Sequence, residues 1–323
     1  MFCRKARSLA GFLLLGLLLG GCASLLPQAT ALKEQPPSDL PARAELTDVP
    51  FFPQEDYYCG PAALAMALNS AGVSVTPDAL AQQVYLPGRK GSLQVEMLAA
   101  ARRHGLVAYE LQPKLVDLLH EVAAGTPAVV LENYGFRWYP LWHYSVVVGY
   151  DLEQQEIIRR SGEKSRQPMP LPVFEYVWKD DRYWAMVALP PDRLPVTATE
   201  HRYAAAVVAL EKSGQIKSAY TAYEALLRRW PGSLAGQMGR GNTAYALGDL
   251  VTAEIAFRQA TQEHPDSAAA FNNLAQTLFD RGNIREALAA AERAVSLGGP
   301  QLAAARATLE EIRKKQPSAA ETR

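Results

Sequence analysis

The sequence predicts an α+β domain followed by an all-α repeat solenoid. Three observations predict it. Between residues 47 and 190, helix-period segments come first and short apolar, β-branched runs follow, the order of segregated helices and an antiparallel sheet. Beyond residue 200 the strand patterns vanish, and Gly214, Gly248 and Gly282 recur at a step of 34. A proline-rich segment, 191–199, separates the two regions. Composition fits this reading: of 323 residues 49% are hydrophobic and 20% charged. The formal charge is zero, which gives no support to a nucleic-acid partner.

Residues 1–21 read as an export leader. Arg4, Lys5 and Arg7 form a basic start, and Ala10 to Leu19 is an apolar core too short to span a membrane. The leader ends in Leu19-Gly20-Gly21-Cys22, which resembles a bacterial lipobox. That resemblance implies acylation of Cys22 and, with Ala23 rather than aspartate following, the outer membrane. The chain would then sit in the cell envelope at the periplasmic face. Residues 22–46 hold Pro27, Pro36, Pro37 and Pro41 among small polar residues, and read as a flexible tether. With Cys3 removed and Cys22 blocked, Cys59 is the only free thiol of the exported chain.

The first domain, 47–190, opens on an extended Val49-Pro50-Phe51-Phe52. Gly60 to Ala71 is a helix with Leu64, Leu68 and Ala71 on one face. Thr76-Pro77-Asp78 is a cap with proline at the first helical position, opening a helix to Val84. A loop from Tyr85 to Gly91 follows. Ser92 is expected to cap a helix over Leu93–Arg103, ended by Gly105. Leu106–Leu111 alternates as a strand, Lys114–Ala123 is helical, and Pro127–Leu131 is a strand. His143–Tyr150 and Glu156–Arg160 read as an antiparallel pair. Leu171–Trp178 is a helix and Tyr183–Leu189 the last strand.

From 200 to 316 the period of 34 is carried by more than glycine. Ala219, Ala253 and Ala287 repeat it, as do Pro231 with Pro265 and Tyr223 with Phe257. The pattern resembles three tetratricopeptide repeats, with small residues where paired helices cross and residues 301–315 as a capping helix. Tyr203 and Phe271 stand where that family often has tryptophan, and Gly241 where it has its first glycine.

The chemistry centres on Cys59, followed by Gly60 and Pro61 at a helix start. Unpaired N–H groups and the helix dipole there are expected to lower a thiol pKa and make a nucleophile. Of five histidines, His143 starts a strand beside the aromatic loop 134–142 and is the expected base. That loop is either packing at the sheet edge or a cleft wall for an extended peptide. No His/Cys cluster has metal spacing and no Gly-rich loop with lysine is present, so no cofactor or metal is expected.

Gln54 with Cys59-Gly60-Pro61-Ala62-Ala63-Leu64, then His143-Tyr144-Ser145-Val146-Val147-Val148-Gly149-Tyr150-Asp151, resembles the bacteriocin-processing, double-glycine cysteine peptidases and their free-standing relatives. The resemblance covers residues 47–189 and implies a papain-like fold. It implies Cys59 as nucleophile, His143 as general base and Gln54 as oxyanion donor. The family's aspartate on the next strand is replaced near Ser161-Gly162. Asp151, eight residues along the strand, is about 26 Å from His143 if the strand is continuous, and belongs to the turn. Ser161 or Glu163 is expected to orient the imidazole, with Asn133 a further candidate. The expectation is an exported lipoprotein cysteine peptidase acting on a peptide or protein substrate, with repeats that recruit a protein partner. A catalytically silent peptide-binding scaffold, and a cell-wall amidase or acyltransferase, are the alternatives.

Overall fold

The structure, a computed structural model, describes residues 26–54 and 58–315. The leader and Cys22 lie outside the described residues.

Seven antiparallel strands form the central sheet. Its path is β4 (Val107–Glu110), β9 (Ala185–Leu189), β5 (Ala128–Asn133), β6 (Trp142–Asp151), β7 (Glu156–Ser161) and β8 (Lys164–Pro170), with β1 (Arg43–Glu45) paired to the far end of β6. β2 (Tyr85–Leu86) and β3 (Gly91–Ser92) make a small separate hairpin. Side chains alternate across the sheet, so each face has its own core. On one face Leu131, Tyr144, Val146 and Ile158 pack against α2 (Cys59–Ser70), α3 (Pro77–Val84) and α4 (Gln94–Arg103) through Leu64, Leu80 and Met97. On the other, Val130, Val147 and Val187 meet α5 (Leu115–Ala123) and α6 (Leu171–Trp178) through Leu119, Phe174 and Trp178.

The tether expectation is corrected. Residues 27–34 form a helix, α1 (Pro27–Glu34), and β1 follows within the same stretch. Pro27 suits a first helical turn. Ala29 and Leu32, three apart on one face, are buried in the second core. The open N–H groups of Gln28 and Ala29 donate to the buried Glu175 carboxylate at 3.1 and 2.6 Å. That cap lies nearly half the chain away in sequence, so local composition gave no sign of it. Two smaller expectations also change. Ser92 does not cap α4, whose N-cap is Leu93 without a side-chain bond. β8, rich in charge and proline, is an edge strand that its pattern concealed.

The repeats run α7 (Glu200–Lys212), α8 (Ile216–Arg229), α9 (Leu234–Ala246), α10 (Leu250–Glu263), α11 (Ala268–Asp280) and α12 (Ile284–Leu297), closed by α13 (Leu302–Lys314). Gly214, Gly248 and Gly282 sit between paired helices with φ of 86, 82 and 82°, a left-handed turn that glycine adopts without cost. The segment 191–199 is not a free spacer. Thr197 donates to the buried Glu121 carboxylate from its N–H and its hydroxyl, at 2.8 and 2.6 Å. Tyr203, Val207, Leu210, Ala219 and Tyr223 of the first repeat belong to the same core as the sheet's second face.

Candidate active site

Cys59 is the first residue of α2, and Gly60 to Leu68 behind it are buried. A Cβ at Gly60 would stand 2.5 Å from Ser92 Oγ and 2.7 Å from Ser92 Cβ, so only glycine admits the β3 strand against this helix start. Tyr58 stacks on Tyr85 at 5.4 Å and fixes the entry to the helix. The thiol is half-buried. Burial pushes its pKa up, and the backbone amides of Tyr144, Gly60 and Cys59 pull it back only in part. The expected acidification by the helix start is therefore outweighed by desolvation.

His143 lies near the start of β6, opposite Glu132 of β5. Its Nε2 is 2.9 Å from Ser161 Oγ at the end of β7. Tyr134 tilts against the ring at 5.7 Å between centroids. Burial first, then the positive charge of Arg159, lower the imidazole pKa to about 4. The ring is thus neutral at neutral pH. Among the described residues no hydrogen bond joins Cys59 Sγ to His143, and Nδ1 is left for the cleft.

Gln54 ties the site together. Its N–H donates to Gly162 O at 3.0 Å, Gly162 N–H donates to its Oε1 at 2.7 Å, and its Nε2 donates to Tyr144 O at 3.1 Å. One N–H of the side-chain amide remains for the cleft. Gln54 therefore clamps the β7–β8 turn, which follows Ser161, to the strand that carries His143.

Of the other candidates, Glu163 is exposed in that turn and does not bond His143. Asn133 takes N–H bonds from Gly135 and Leu141, both at 2.9 Å, and donates to Asp180 at 2.9 Å. It holds the aromatic loop and leaves the imidazole to Ser161. Asp151 accepts from Gln154 N–H in the β6–β7 turn, as expected from the strand length.

Sequence reasoning missed the buried charge network beneath His143. Arg159 donates from Nη1 to both Glu132 carboxylate oxygens and to Tyr134 Oη, each at 2.6 Å, and from Nη2 to Gln167 at 3.0 Å. Both members of the Arg159–Glu132 pair have fully buried side chains. Burial opposes the charged guanidinium, but Glu132 and Tyr134 outweigh it and hold Arg159 above its ordinary pKa. Burial and the Glu132 charge push Tyr134 up to about 12. The available signal was a strand whose second half, Arg159-Arg160-Ser161, carries charge beside apolar Ile157 and Ile158.

Gln54, Cys59, Tyr134, His143, Ser161 and Gln167 are among the residues lining one cleft of about 1330 Å³. The aromatic loop divides. Tyr134, Pro140, Leu141 and Trp142 line the cleft, while Phe136, Trp138 and Tyr139 stand in solvent beyond it. Among the described residues no group of three His, Cys, Asp or Glu is placed to hold a metal ion.

Residues 46–186 match the family described as "Peptidase_C39 like family". Residues 204–268 and 252–301 match "Tetratricopeptide repeat". Residues 46–186 thus lie in a C39-like α+β domain, which is joined to a tetratricopeptide-repeat solenoid. Several solved structures resemble parts of it. A C39-like peptidase from Bacillus anthracis is 21% identical with TM-score 0.38, over 46% of this chain and 97% of that one. The peptidase domain of Streptococcus ComA, a bi-functional ABC transporter, is 22% identical with TM-score 0.38, over 44% and 98%. The type III secretion translocator chaperone SycD of Yersinia enterocolitica is 18% identical with TM-score 0.34, over 36% and 83%. No curated protein matches the chain.

Proposed function

We propose that this chain is an exported lipoprotein that hydrolyses peptide bonds, with Cys59 as nucleophile and His143 as general base. The observation that carries the proposal is Cys59, on a helix start, and His143, oriented by Ser161, lining one cleft of a C39-like domain. Because the thiol is raised and the imidazole lowered, the resting pair is un-ionised. Attack is therefore general-base assisted. His143 Nδ1 takes the thiol proton as Sγ bonds the peptide carbonyl carbon. The oxyanion accepts from the second amide N–H of Gln54 and the backbone N–H of Cys59. Collapse breaks the C–N bond, and the amine leaves with the proton from His143. Water, deprotonated by the same ring, then hydrolyses the thioester. Ser161 accepts from Nε2–H and orients the ring without bringing a negative charge. Acylation of Cys22 would hold the enzyme to the envelope, and the repeats would recruit a protein partner.

A second reading, a catalytically silent peptide-binding lipoprotein, is favoured by the same un-ionised pair and by serine in place of the third-position carboxylate. Hydrolysis of a peptide library by the purified full chain separates them. The catalytic reading expects cleavage abolished by Cys59→Ala and reduced at least 100-fold by His143→Ala. Binding without cleavage, unchanged by Cys59→Ala, would establish the silent reading. Product masses that show cleavage of side-chain amides or acyl transfer would instead assign the site to an amidase or acyltransferase.

A further inference from the structure

We propose that the tip of the β5–β6 hairpin docks on a phospholipid bilayer and, with the lipid on Cys22, holds the cleft at the membrane surface. The proposal rests on the lipoprotein reading above. Its first support is the tip itself. Phe136, Trp138 and Tyr139 are 66, 82 and 70% exposed. They are presented on a braced turn. Phe136 and Tyr139 exchange N–H bonds with each other's carbonyls at 3.0 and 2.9 Å, and the Asn133 carboxamide pins the base at Gly135 and Leu141. Phe136 and Trp138 stack at 5.5 Å. Rigid, contiguous exposed aromatic surface marks an interaction site. From 134 to 142 the one charge is the exposed Arg137, and no acid is present. Trp, Tyr and a cation are the composition of a bilayer interface.

The second support is where the chain enters. α1 is fixed at its N-terminus on Glu175 of α6. The Gln28 side chain donates to Pro113 O and accepts from Leu115 N–H, just past the end of β4, which runs in the same direction as β5 toward the hairpin. The N-terminal segment therefore reaches the fold at the hairpin end of the sheet. With α1 packed rather than free, four peptide steps separate Cys22 from Leu26, an extended span of at most about 14 Å. A lipid on Cys22 thus keeps this end of the domain against the bilayer. At the same end Tyr176 is exposed on the last turn of α6 and carries Lys179 over its ring at 4.6 Å. Among the described residues no helix is long and apolar enough to cross a membrane.

The test is tryptophan quenching. The full chain, acylated in a host with its own leader, is reconstituted in phosphatidylethanolamine–phosphatidylglycerol vesicles with or without brominated acyl chains. Intact-mass spectrometry on the same sample reports Cys22 acylation. We expect bromolipid to quench the wild-type emission and Trp138→Phe, which keeps the ring shape, to lose at least half of that quenching. Acylated protein whose quenching is absent, or is unchanged in Trp138→Phe, overturns the hairpin contact while leaving the lipoprotein reading intact. Unmodified Cys22 overturns the lipoprotein reading and the proposal with it. A peptidyl vinyl sulfone addresses the competing role. If Trp138→Ala slows labelling of Cys59 several-fold and Trp138→Phe leaves the quenching unchanged, the tip belongs to the substrate cleft.

Discussion

At the scale of single residues, the proposed chemistry depends on what holds His143 and what charge it carries. A serine stands in place of the family's carboxylate, its hydroxyl 2.9 Å from the His143 Nε2 and without a charge. Removing one neutral hydrogen bond costs about 1 kcal/mol, so Ser161→Ala should lower kcat/KM by roughly fivefold to tenfold with little change in KM. Ser161→Asp should raise the imidazole pKa and move the acid limb of the pH–rate profile upward. A profile identical to wild type would show that Ser161 does not touch the working ring. Stability carries the same signature. The folded-state pKa of about 4 lies below the ordinary value of 6.5. The unfolded chain therefore takes the proton first as pH falls. The contribution is intact above about pH 6.5 and is lost progressively toward pH 4, on the order of 3 kcal/mol. Urea titrations at pH 7 and pH 4.5 should show His143→Gln losing less stability over this interval than wild type.

At the scale of elements, the buried Arg159–Glu132 pair links β5 and β7 beneath the site. Arg159→Met would strand Glu132 in a fully buried position and should cost about 3–5 kcal/mol by chemical denaturation. The paired change with Glu132→Gln should recover part of it. In the repeats a Cβ at Gly241 would lie 2.4 Å from the Phe257 ring. Gly241→Ala should destabilise by about 1–3 kcal/mol of overpacking, partly offset by helix propensity. Most elements were legible in the sequence, and the reasons differ. The 34-residue period was readable because each repeat meets the same steric demand: glycine at the turn, alanine at the crossing. The placement of Cys59 at a helix start and of His143 near a strand start was readable because each stands in a distinctive local pattern. α1 was not, because its cap is Glu175 and its groove is made by distant helices. The Arg159 network was not, because alternation shows which face a residue takes and not which charge waits there. The thiol was misread because helix-start amides were weighed without the burial of the sulfur itself.

At the scale of the whole molecule, the shared core between the sheet and the first repeat makes the solenoid part of the C39-like domain's architecture. Tyr203, Val207 and Tyr223 lie in one buried cluster with Val107, Tyr109 and Leu119. The repeats are thus fixed relative to the cleft, and a partner held on them would have a defined position with respect to Cys59. Ending the chain after residue 199 should uncover this core. The full chain is expected to melt with the first repeat and the sheet domain in one calorimetric transition, and the shortened chain at least 10 °C lower. Independent melting of the two parts at unchanged temperatures would show that the interface contributes nothing.

The most direct test of the central claim is the rate at which iodoacetamide alkylates Cys59, measured from pH 3 to pH 10 in wild type and His143→Ala. If neutral His143 serves as base for Cys59, wild-type reactivity rises along an acid limb with a midpoint near pH 4 and persists through neutrality. In His143→Ala that limb vanishes, leaving only an alkaline rise above the ordinary thiol range, where burial holds Cys59. A wild-type profile confined to the alkaline rise, and unchanged by His143→Ala, would contradict the account.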